Sequence, residues 1–123
     1  MSIREMMYAL LAVLGLLLPW HYNLQFMAAT PGLFDLLEFV RQAMVNPASA
    51  SLSLDLIVAF TAYCVFVIAE ARRLGMRHGW IFVALGLCVA FACAFPLFLL
   101  LRERHLRRRA AAANAATAAA LSA

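Results

Sequence analysis

From Trp80 to Leu101 the chain carries no charged residue and a single proline, Pro96. At ~1.5 Å of rise per residue, a helix over this run reaches about the ~30 Å thickness of a bilayer's hydrocarbon core. Such a run can be buried in a large protein or face lipid. The chain has 123 residues, 67% hydrophobic and 13% charged, against roughly 45–50% and about 25% in an ordinary soluble domain. A domain this small has too much surface for its volume to hide that apolar excess, so the excess faces lipid.

Two more runs resemble it. Met6 to Trp20, extendable back through Ile3, is apolar and ends on Trp20, His21 and Tyr22, an aromatic group suited to a membrane interface. A cleaved signal peptide is the rival reading, with Met27-Ala28-Ala29 before the cut. Glu5 spoils its basic leader, and polar or bulky residues separate Trp20 from the small-residue site, so a retained helix is expected. The second run covers about Leu52–Ala71, with Asp55 near its start and Glu70 near its end.

Between the first two runs, Leu33, Leu36, Leu37, Val40 and Met44 recur at spacings of three and four, with Asp35, Glu38, Arg41 and Gln42 elsewhere. This predicts a short amphipathic helix over 31–45, capped by Thr30 and lying in the interface. Asn46-Pro47 ends it. The expected architecture is therefore an all-α membrane protein. Its membrane domain, 1–105, has three transmembrane helices, at about 3–22, 52–71 and 80–101, plus the interfacial helix. Residues 106–123 form a basic and then alanine-rich tail, expected to be disordered or a frayed helix. Three spans place residue 48 and the C-terminus on one side. Of the ten arginines, four then sit on one side and six on the other, which barely orients the chain.

Helical phase suggests how the spans pack. At 100° per residue, Asp55 and Glu70 differ by 60° around the second span, and Ala59, Ala62, Tyr63 and Phe66 share their sector. On the third run Gly79, Gly86, Ala90 and Cys93 form a second small-residue face. Small residues let helices approach closely, so Ala59 and Ala62 are expected to meet Gly86, Ala90 and Cys93. In an antiparallel pairing Asp55 comes near Phe95 and Pro96, with Arg102 about 10 Å further on. His21, Asp55, Arg102 and Glu103 thus form one candidate catalytic cluster. Glu70, Arg72, Arg73 and Arg77 mark the membrane boundary.

The stretches Leu17-Leu18-Pro19-Trp20, Asp55-Leu56, Glu70-Ala71-Arg72-Arg73-Leu74-Gly75-Met76-Arg77 and Pro96-Leu97-Phe98-Leu99, leading to Arg102-Glu103-Arg104, resemble a family of small bacterial membrane proteins classed as a domain of unknown function. The resemblance covers roughly residues 5–105. It implies the three-span fold and a bacterial inner membrane, and it brings no activity with it.

The three cysteines, Cys64, Cys88 and Cys93, lie inside apolar runs without a Cys-x-x-Cys spacing, so neither a disulfide framework nor a metal site is expected. No nucleotide or nucleophile motif is present and no cofactor is expected. The arginines cluster at the ends of apolar runs, which suits lipid headgroups and not nucleic acid. The leading expectation is an accessory or assembly subunit that packs against itself or a larger membrane complex. Two alternatives are a membrane enzyme acting on an isoprenoid or lipid with Asp55 as general acid, and half of an oligomeric small-solute transporter.

Overall fold

The computed structural model describes all 123 residues as five helices and no strands: α1 (Ile3–Ala29), α2 (Leu36–Ala43), α3 (Pro47–Leu74), α4 (Gly79–Cys88) and α5 (Phe91–Ser122). Helices α1 and α3 are each long and apolar enough to cross a membrane. The third apolar run is not a third such helix. It is divided at Val89–Ala90 into the short α4 and the first turns of α5.

Local chemistry sets most of the boundaries. Ser2 caps α1 by accepting from the Glu5 amide. The helix runs past Trp20 to Ala29 and stops at Thr30, which is extended at φ −119° and ψ 136°. Thr30 precedes Pro31, whose ring disfavours the helical region for its neighbour. Thr30 therefore closes α1 and does not open the next helix, and α2 begins later than expected, capped by Asp35. Asn46 and Ser49 form a reciprocal capping box with Pro47 in the first turn of α3, so Asn46-Pro47 starts a helix as well as ending one. Helix α3 ends on Gly75, at φ +70°, the left-handed cap that glycine adopts without strain.

The break between α4 and α5 has a different origin. The amides of Val89 and Ala90 both donate to the Leu85 carbonyl, Ala90 is extended, and the amides of Cys93 and Ala94 restart the ladder on the Ala90 carbonyl. The chain reverses there. Tyr63 packs against Phe91 and Phe95, Phe66 against Phe95 and Phe98, Glu70 binds Arg102, and the Leu74 carbonyl meets His105. These partners ascend together in number, so α5 runs parallel to α3. Against α1 they descend: Trp20 meets Val89, Gly15 meets Ala92, and Glu5 meets Arg107. Helices α4 and α5 thus form a hairpin that enters and leaves at one end of the molecule.

The central helix is α5, with α1 along one flank and α3 and α4 on the other. The small core of Tyr63, Val67, Ala71, Phe82, Ala94 and Phe98 lies on that second flank. Tyr63 donates its hydroxyl to the Phe82 carbonyl at 2.9 Å, pinning α4 to α3. On the other flank, Gly15 sits so close to the Ala92 backbone that no side chain fits between them. Beyond Arg107 every residue of α5 is exposed. The alanine-rich end from Ala110 continues as an exposed helix to Ser122, as the helix propensity of alanine allows.

Candidate functional site

The end of the molecule where the hairpin enters collects most of the charge, nine of the ten arginines among it. Two carboxylates are buried in the chain, Glu5 and Glu70, and both point at arginines of α5. Glu5, in the first turn of α1, accepts from Arg107 Nη1 at 2.6 Å. Glu70, in the last turns of α3, accepts from Arg102 Nε at 2.7 Å and from Arg73 through two bonds of 2.7 and 2.8 Å. A buried carboxylate without such partners would be strongly destabilising. Each acid therefore fixes the α5 residue opposite it.

Backbone groups join this arrangement. The last carbonyls of a helix lack intrahelical donors, and the Leu74 carbonyl at the end of α3 accepts from His105 Nε2 at 2.8 Å and Arg109 Nη1 at 3.5 Å. A basic side chain at a helix C-terminus is also favoured by the helix dipole. Arg4 reaches Glu103 at 3.4 Å. Arg72, Arg77, Arg104 and Arg108 make no hydrogen bond or ion pair, and an open cleft of about 440 Å³ lies among Glu5, Arg104, Arg107 and Arg108.

The four residues expected to cluster are dispersed. Arg102 binds Glu70 and Glu103 binds Arg4, both at the charged end. Asp55 lies fifteen residues before Glu70 on α3, about 22 Å away at ~1.5 Å per residue. It is exposed, without a hydrogen bond or ion pair. His21 is exposed and bonds Gln25 at 2.9 Å. The expected proximity of Asp55 to Arg102 required a continuous third helix, and the reversal at Val89–Ala90 carries Arg102 back to the opposite end. Of the boundary charges, Glu70 and Arg73 are paired, while Arg72 and Arg77 are exposed.

The small-residue positions also separate. Gly86 faces the Phe60 and Tyr63 rings, Cys93 is buried, and Ala90 sits at the break as the residue before α5. Ala59 and Ala62 are exposed, because α3 buries instead the face of Tyr63, Val67, Glu70, Ala71 and Leu74. Helical phase puts Ala59 and Ala62 in line with Asp55 on α3, but it carries no information on which face of α3 receives α4 and α5.

Sequence reading missed the importance of Glu5, Arg107 and His105. The available signal was positional: an acid stands just before one apolar run and another at the end of the next, with arginines following the third. Near the hairpin tip, Trp20 Nε1 donates to the Val89 carbonyl at 2.8 Å, satisfying a group freed by the break. Above the tip an apolar cavity of about 490 Å³ is lined by Trp20, Asn23, Phe34, Phe39, Leu87 and Val89, among others. No acid or basic side chain lines it. No three histidine, cysteine or acidic side chains converge as metal ligands.

These features define an all-helical protein with two helices of membrane-crossing length and a hairpin clamped to both by buried carboxylates. The chain belongs to the family DUF2834, described as a protein of unknown function, which matches residues 7–104. No curated protein and no solved structure matches it.

Proposed function

We propose that this chain is an integral protein of the bacterial inner membrane that acts as an accessory or assembly subunit. It crosses the bilayer twice, through α1 and α3, and the α4–α5 hairpin enters and leaves on one side. The length of α4 supports this topology: its ten residues span about 15 Å, half of a ~30 Å hydrocarbon core. So does the charge. With both termini and the α3–α4 turn at one end, nine of the ten arginines gather there and Arg41 alone lies at the other. That distribution orients the arginine end to the cytoplasm, where a three-span path leaves four against six. The inner-membrane setting follows the family resemblance.

The observation that carries the assembly role is the uncovered face of α3. Asp55, Ala59 and Ala62 share one sector of this crossing helix and are all exposed. An ionisable group facing hydrocarbon is costly, and small residues allow another helix to come close. A neighbouring chain covering this face would satisfy both conditions. Purification in mild detergent at native expression, with mass spectrometry of what remains bound, is the test. A second copy or a larger membrane protein is expected, and Ala59→Trp should release it. A monomer with no bound protein would overturn the assembly role.

One observation favours a second reading, half of an oligomeric transporter. The backbone is broken at Val89–Ala90, well inside the apolar layer, and such breaks are tolerated where they line a cavity. A strict dimer that moves a solute in reconstituted vesicles would establish it. An enzyme using Asp55 gains nothing from the apolar cavity, whose lining does not include that residue.

A further inference from the structure

We infer that the cleft between the first turn of α1 and α5 is a binding site for the phosphate of an anionic phospholipid, gripped by Arg104 and Arg108 with Arg107 behind them. The three arginines lie at i, i+3 and i+4 on α5, so they share one face, and that face looks onto Met1 and Glu5. Glu5 is the one acid in the cleft. It is buried and held by Arg107 at 2.6 Å, so it is neutralised and leaves Arg104 and Arg108 without a partner. Two free guanidinium groups one helical turn apart match the oxygens of a phosphate, which arginine binds in a forked geometry.

Position selects a lipid as the source of that phosphate. The cleft opens where the apolar part of α5 ends, at the level of the α1 residues that precede its apolar run. From the cleft toward the hairpin tip, α1 presents Met6, Met7, Leu10 and Leu11 as exposed side chains. A headgroup seated between Arg104 and Arg108 would place its acyl chains along these residues. The charge of the two ends agrees. The arginine end has nine arginines against Glu5, Glu70 and Glu103, leaving +6. The far end has Arg41 against Asp35, Glu38 and Asp55, leaving −2, and together they give the chain's +4. Anionic lipid is drawn to the first and repelled by the second.

This inference rests on the membrane residence proposed above and is independent of the assembly role. The full-length chain would be reconstituted into vesicles of phosphatidylcholine alone and of phosphatidylcholine with phosphatidylglycerol. Lipid retained after extraction into detergent would then be measured by native mass spectrometry. Resistance to alkaline extraction from both vesicle types reports membrane residence separately, and failure there refutes that reading first. Inserted protein should retain phosphatidylglycerol over phosphatidylcholine. R104Q/R108Q should weaken retention about thirtyfold. R72Q/R77Q, which removes the same charge from the same end outside the cleft, should leave it nearly intact. Neither pair forms an ion pair in the chain, so both variants should keep their helicity by circular dichroism. Equal losses in the two variants, or no preference for phosphatidylglycerol in the parent, would overturn the site. So would displacement of the lipid by millimolar inorganic phosphate, which would mark a site for free anion.

Discussion

Helix α3 and the run Trp80–Leu101 begin as near-equals: two apolar stretches of similar length, the second without even one charge. Only α3 becomes a helix that can cross a membrane; the other folds back on itself at Val89–Ala90. Neither residue at the break is a proline or glycine, and Pro96 lies inside α5. The difference arises at the far end of the second run. Arg102 is held by Glu70, His105 by the Leu74 carbonyl and Arg107 by Glu5. All three partners stand at the end from which α4 departs. A continuous helix would pull every one of these groups apart, leaving Glu5 unpaired and Glu70 with Arg73 alone. Apolar content measures how well a segment tolerates lipid, while the polar anchors at its ends accompany the choice between one long helix and a hairpin.

The largest expected effect tests that contrast directly. Reporter fusions at residue 48 and at the C-terminus should read opposite sides of the membrane, the C-terminal one on the cytoplasmic side. The same side for both would restore an unbroken third span. Next in size is loss of the anchors. In a Glu5→Gln, Glu70→Gln double variant the C-terminal reporter should become mixed, since neither arginine of α5 retains a charged partner. Retention of a single topology would show that packing and the remaining His105–Leu74 and Arg4–Glu103 contacts suffice to hold the hairpin.

Gly15→Val should cost about 1–3 kcal/mol, the usual range for overpacking, because its side chain would overlap the Ala92 backbone. Unfolding by denaturing detergent should show this, while the same change at exposed Ala28 should be nearly silent. Trp20→Phe keeps the aromatic bulk and leaves the Val89 carbonyl without its donor. A loss of about 1–3 kcal/mol is expected for a buried group left unpaired, and an unchanged midpoint would mean that water reaches the hairpin tip. The smallest effect concerns α2, which lies outside both long apolar helices and the hairpin. Hydrogen bonds from Arg41 and then Gln42 hold the Glu38 carboxyl down at about 2, from an ordinary value of 4.5. A depressed acid contributes its stability above the ordinary value and loses it as pH falls toward the depressed one. The Arg41 Nε–H resonance should therefore persist through pH 4.5 and fade only near pH 2.

Much of the fold was legible without coordinates. Helical class, the two long apolar helices and the short polar helix between them follow from periodicity and caps. The shifts at Thr30 and Asn46 are cases where one residue can serve either of two neighbouring helices. The candidate site was less legible. Asp55, Ala59 and Ala62 do share a face, but side-chain phase along a helix does not reveal which sector a partner covers. Grouping His21 and Asp55 with Arg102 and Glu103 failed for one reason: it assumed that a long apolar run is a single rod.

The sequence by itself determined that this chain is helical, rich in surface suited to lipid, and punctuated by arginines at the ends of its apolar runs. Those properties are local, set by side-chain polarity and backbone propensity within a few turns. Only the tertiary structure decided that the third run reverses, that Glu5 and Glu70 are the acids that matter to it, and that nine of ten arginines stand together. These outcomes depend on pairs such as Glu5 and Arg107, distant in the chain and competing with water and lipid for each other. No local pattern contains the balance among those contacts.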